Sequence, residues 1–116
     1  MIENSRRVAE IAAKALDDKK AKDIVVLGIY NVSLIADYFV IASGTSTVQV
    51  KALADEVEER LQENGVDILH KEGYNDARWI LLDYGDVVVH IFHEKERSFY
   101  DLERVWADAE TIELDI

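Results

Sequence analysis

Cysteine and proline are absent from this 116-residue chain, and glycine occurs only five times. Without cysteine there is no disulfide, no thiolate nucleophile and no thiolate metal site, and a reducing cytoplasm suits the chain. Without proline, and with glycines scattered singly, no linker or low-complexity stretch divides the sequence. One domain over 1–116 is expected, with no internal repeat. Basic residues are also scarce: 13 Lys and Arg stand against 24 Asp and Glu, a net charge of −11. Such a field repels a phosphate backbone, which calls for clustered Lys and Arg, and favours a basic protein partner. The plainer account is that the acids keep a small domain in solution. No apolar run approaches the roughly 18 residues of a membrane span. The opening "MIENSRRVAEIAAKALDDKK" is charged and carries acids early. Neither a secretory block nor an organellar transit peptide is expected, and the location expected is cytoplasmic.

Apolar residues make up 49% of the chain, enough for one hydrophobic core. Val8, Ile11, Ala12, Ala15 and Leu16 share one helical stripe. "DIVVLGIYN" and "DYFVIASG" then read as strands ending near Gly28 and Gly44. In the following segment Ser46 and Gln49 have the spacing of a capping box. Val50, Leu53, Ala54, Val57 and Leu61 form that helix's buried stripe, and Gly65 its left-handed terminus. "VDILHKEG" is a short strand, Trp79–Tyr84 and Val87–Phe92 a hairpin, and "RSFYDLERVWADA" a closing helix with Phe99, Leu102, Val105, Trp106 and Ala109 inward. The predicted order α-β-β-α-β-β-β-α gives an α+β (mixed α/β) fold, a mixed sheet of about five strands flanked by helices. The core spans about 5–107, and the acidic tail 108–116 is weakly patterned and expected to fray.

Chemical motifs are sparse. His90 and His93 lie an odd number of positions apart, so one strand would point them to opposite faces, and no H-E-x-x-H pattern occurs. No metal site and no cofactor are expected. Asp83 and Asp86 straddle the hairpin turn and do not form the Asp-x-Asp pair of two-metal nucleotidyl transfer; turn acids ordinarily accept local backbone N–H groups. "SGTS" precedes a helix but matches neither phosphate-loop pattern, and no motif assigns Ser43 or Ser46 a base.

The stretch "WILLDYGDVVVHIF" is more distinctive. With Tyr84–Gly85 as a two-residue turn, Leu82 pairs with Val87 and Trp79 with His90. One face carries Ile80, Leu82, Val87, Val89 and Ile91; the other carries Trp79, Leu81, Val88, His90 and Phe92. Both faces are apolar, so both need a cover. Helices of the chain can supply one. The second is covered by another helix or meets another molecule, for which Trp, His and Phe are suitable anchors.

Together with "DYFVIASGTSTVQVKALADEV", Glu72–Gly73 and "RSFYDLERVW", that stretch resembles the ribosomal silencing factor (Iojap-like) family from Asp23 to Trp106. The resemblance implies a fold related to nucleotidyltransferases and a non-enzymatic task. It implies binding to the large ribosomal subunit through ribosomal protein fourteen, which blocks joining of the small subunit and represses translation when nutrients are short. It also implies homodimers. Carried onto this chain, the docking residues are Trp79, Asp83, Tyr84, Asp86, His90, Phe92, Arg97 and Tyr100. A large-subunit assembly factor and a metal-dependent nucleotidyltransferase are the alternatives.

Overall fold

Helix periodicity and strand alternation turn into nine elements in the computed structural model, which describes residues 2–101, 104 and 107–113, with the backbone alone at 2–3 and 98–100. They are α1 (Ile2–Asp18), β1 (Lys22–Gly28), β2 (Tyr38–Gly44), α2 (Thr47–Glu63), β3 (His70–Glu72), β4 (Trp79–Asp83), β5 (Val87–His93), α3 (Glu94–Tyr100) and β6 (Glu110–Ile112). The sheet is mixed and has six strands in the order β3-β4-β5-β2-β1-β6, one more than the sequence predicts. Only β2 and β5 run parallel; the other neighbours are antiparallel.

The added strand comes from the tail expected to fray. Its three residues pair with β1, Val26 opposite Ile112 and Gly28 opposite Glu110. Gly28 has no side chain, so the Ile112 side chain lies close over its backbone. So short a strand gains little from its own pattern and depends on covering the edge of β1.

α2 follows its sequence closely. Val50, Leu53, Ala54, Val57 and Leu61 are its buried residues. Ser46 Oγ accepts from Gln49 N–H at 3.1 Å. The return bond differs from the predicted box: Gln49 Oε1 accepts from Thr45 N–H, at 2.6 Å, one residue before the cap. At the other end Gly65 takes φ +79°, and Val66 N–H and Gly65 N–H bond to the Leu61 and Gln62 carbonyls. Those two bonds make a Schellman cap.

α1 and α2 both pack on the sheet face of Ile80, Leu82, Val87, Val89 and Ile91, where the alanines of α1 let the two helices approach closely. The opposite face gathers Leu27, Phe39, Ile41, Val88 and Phe92, with Val25, Trp79, Leu81 and Ala109 partly buried against it. The closing helix departs from expectation. It starts at Glu94, capped by His93 Nδ1 accepting from Lys95 N–H, and Asp101 terminates it at φ +46°. The predicted inward residues Leu102, Val105 and Trp106, and the side chains of Phe99 and Tyr100, lie outside the described residues.

Candidate functional site: an aromatic hollow at one end of the sheet

The hairpin register differs from the predicted one by two positions. Trp79 pairs with Phe92, Leu81 with His90 and Asp83 with Val88. Tyr84 N–H donates to the Val87 carbonyl at 2.9 Å, so Gly85 and Asp86, not Tyr84 and Gly85, form the turn. Gly85 has φ +87°, which a two-residue hairpin turn requires at its first position. Because strand side chains alternate with period two, this shift leaves each residue on its predicted face.

The face opposite α1 and α2 therefore carries a row running from Trp79 through Phe92 to Ser43. The Trp79 and Phe92 rings stack at 5.1 Å between centroids and 25° between planes. Trp79 Nε1 donates to His90 Nδ1 at 3.1 Å, a diagonal cross-strand contact. Phe39 meets the His90 ring edge to face at 4.6 Å. Arg97 Nη1 donates to Ser43 Oγ at 2.9 Å and closes the row on the α3 side.

Burial divides these residues into support and surface. Phe92 is 0% and His90 4% exposed, while Trp79 and Leu81 are half-buried. Phe92 and His90 thus hold the indole from beneath and offer no surface of their own. Burial depresses the His90 pKa to about 4, so the ring is neutral near pH 7 and can accept from the indole. With Nδ1 accepting, the proton resides on Nε2, which is buried without a hydrogen-bond partner among the described residues.

Beside Trp79 the sheet edge opens. β3 ends with Glu72 opposite Leu81, and Gly73, at φ +79°, turns the chain away. A Cβ at Gly73 would run into the Trp79 carbonyl oxygen, so glycine is required there. Glu72, Gly73, Trp79 and Leu81 line a hollow of about 300 Å³. In the sequence "EG" is a mark of the family resemblance, but neither residue is among the predicted docking residues. Their signal was the pairing of β3 with β4, which single-strand patterns do not disclose.

Asp83, Tyr84 and Asp86 are not brought to Trp79. They lie at the opposite end of β4, about 13 Å along the strand. Asp83 Oδ1 accepts from Gly85 N–H at 2.8 Å and shapes the turn. The exposed Asp86 gives its carbonyl to Asp37 and Tyr38 N–H groups at 2.7 and 3.1 Å. The Tyr84 ring packs on the helical side, where burial raises its pKa and its hydroxyl has no partner among the described residues. Near this turn the β1–β2 connection exposes Leu34 and Ile35, which are not among the predicted docking residues. Of the eight predicted docking residues, the structure thus joins Trp79, His90, Phe92 and Arg97; the side chain of Tyr100 lies outside the described residues.

These features define a small α+β sheet domain with two helices on one face and a ring-floored hollow on the other. A family model described as "Ribosomal silencing factor during starvation" matches residues 2–116. The ribosomal silencing factor of Bacillus subtilis is 49% identical over 112 residues, covering 97% of this chain and 95% of that protein. A solved structure from Bacillus halodurans has a TM-score of 0.83 at 46% identity, covering 94% of this chain and 99% of its own. One from Chromobacterium violaceum has a TM-score of 0.86 at 37% identity, covering 96% and 92%. The chain belongs to the ribosomal silencing factor family.

Proposed function

We propose that this protein silences ribosomes by occupying space: it docks on the large subunit through ribosomal protein fourteen and keeps the small subunit from joining, without catalysis. Family membership supports the role. The observation that carries the mechanism is Trp79, a half-buried indole oriented by His90 and Phe92 on a molecule of net charge −11. A pre-set ring in an acidic field suits a basic protein wall better than a phosphate backbone. On this reading the factor acts in the cytoplasm, lowers translation when nutrients are short, and self-associates as a dimer when free.

Co-sedimentation with separated large and small ribosomal subunits tests the proposal. The full chain should pellet with the large subunit alone and reduce joining when the small subunit is added. Trp79→Ala should weaken large-subunit binding by about 2 kcal/mol, about thirtyfold. A folded Trp79→Ala protein that pellets like the parent would refute the anchor. A salt dependence as steep as that of a DNA-binding protein would point to ribosomal RNA as the contact.

A further inference from the structure

We propose that a pocket beside Tyr84, on the helical side of the sheet, is a binding site for a small aliphatic amine, an ammonium group on a short alkyl stem. The site shares no residue with the hollow beside Trp79 and does not depend on the docking reading.

The pocket follows from how α2 ends. In the Schellman cap, Gly65 and Val66 N–H groups bond the Gln62 and Leu61 carbonyls and fold the chain back beside the helix. Leu69 N–H then donates to the Asp83 carbonyl at 2.9 Å and ties the returning segment to the end of β4, where Tyr84 follows. Between these supports Glu58, Gln62, Val66, Asp67, Ile68 and Tyr84 line a space of about 290 Å³, at the lower end of ligand-pocket size.

Its lining is one-sided. Val66 and Ile68 are apolar, and the other four side chains offer acceptor oxygens: two carboxylates, a carboxamide and a phenol. No cationic side chain lines the pocket among the described residues. Glu58 is already paired, with Lys71 Nζ at 3.1 Å, so the carboxylate left for a ligand is Asp67. Asp67 and Gln62 are exposed, and among the described residues their side chains have no hydrogen-bond or ion-pair partner. The Tyr84 hydroxyl is buried and also lacks a partner among the described residues. Burial first, and then the Glu58 charge, raise its pKa, so it stays a neutral phenol. A buried hydroxyl left without a bond is costly, which makes it the group a ligand gains most by meeting. An ammonium has three donors and no acceptor, and so suits the Tyr84 oxygen, the Asp67 carboxylate and the Gln62 amide oxygen together. Its alkyl stem would lie on Val66 and Ile68. An anion would meet the carboxylates with like charge.

The test titrates the full chain with n-butylamine and follows the backbone amide resonances of Val66, Asp67 and Ile68. Tetramethylammonium, of equal charge without N–H groups, and 1-butanol, of equal length without charge, are the controls. The amine should give shifts that saturate at millimolar concentration, and the controls none. Tyr84→Phe should weaken amine binding about tenfold and Asp67→Asn about threefold. Asp17→Asn, which removes the same charge from an exposed position on α1, should leave it unchanged. Without amine, Tyr84→Phe should unfold at the same or a higher urea concentration than the parent, because the hydroxyl it removes has no partner to lose. A lower midpoint would show that the hydroxyl is bonded within the chain, and would overturn the site. So would the lack of a saturating shift, an equal response to tetramethylammonium, or equal weakening by Asp17→Asn and Asp67→Asn.

Discussion

Gly65 and Gly73 share φ +79° but have different surroundings, and that contrast supports a sharp prediction. Nothing lies within 4 Å of the position a Cβ would take at Gly65. Gly65→Ala therefore costs only the left-handed backbone penalty, about 1 kcal/mol. At Gly73 the same Cβ would meet the Trp79 carbonyl oxygen, with the carbonyl carbon 3.1 Å away and Ile80 Cα 3.6 Å away. These are backbone atoms of a paired strand and cannot rotate aside. Forcing them apart adds about 2 kcal/mol to the same backbone penalty, for a total of about 3. With a urea slope of about 1.5 kcal/mol/M, the midpoint should drop by about 0.7 M for Gly65→Ala and about 2 M for Gly73→Ala. Gly73→Ala should also disturb the Trp79 indole resonance at zero urea, and Gly65→Ala should not. Equal midpoint losses with an unmoved resonance would refute the close approach of the Gly73 turn to β4, and with it the account of how the hollow forms.

His90 gives a pH signature. Its pKa is about 4 in the fold against an ordinary value of 6.5, so the folded chain binds fewer protons than the unfolded one between those limits. The contribution is complete above pH 6.5 and is lost as pH falls toward 4, by about 2 to 3 kcal/mol at pH 4.5. His90→Phe should lack that loss, so urea midpoints of parent and variant should diverge between pH 7 and 4.5; parallel curves would contradict it. At the α2 cap, Ser46→Ala removes the acceptor for Gln49 N–H and should cost about 1 kcal/mol in thermal or urea unfolding, with large-subunit affinity unchanged.

Helix α2 was legible, save for the return bond of its cap, because its stripe, cap and terminal glycine act within a few residues of one another. The two faces of the hairpin were legible for the same reason, since alternation needs no partner. The register was not. Both Tyr84–Gly85 and Gly85–Asp86 place the glycine in a two-residue turn, and the choice falls to Asp83, whose carboxylate takes Gly85 N–H. β6 was illegible because its stability lies in β1, far away in sequence, where Gly28 makes room for Ile112. In the site, Trp79 could be named from the pattern, but its pairing with Phe92 and diagonal bond to His90 depend on the register. Glu72 and Gly73 enter only once β3 is laid beside β4.

The two ends of this hairpin differ in what they have left to give. At the turn, the Asp83 carboxylate and the Asp86 carbonyl are already bonded within the chain, and the Tyr84 ring faces the helices. Using Asp83 or Tyr84 in docking would first break bonds or uncover core; the exposed Asp86 side chain can add charge at the rim but little buried area. At the other end β3 stops opposite Leu81, and Trp79 keeps part of its surface. Ordering a free side chain on association costs about 0.5 to 1.5 kcal/mol, and here the bond to His90 and the stack on Phe92 have set the indole beforehand. His90 and Phe92 can therefore matter to affinity without touching a partner, because they decide where the Trp79 ring stands. Among the described residues, docking through this face would draw its apolar energy from Trp79 and Leu81 and its orientation from the acids around them.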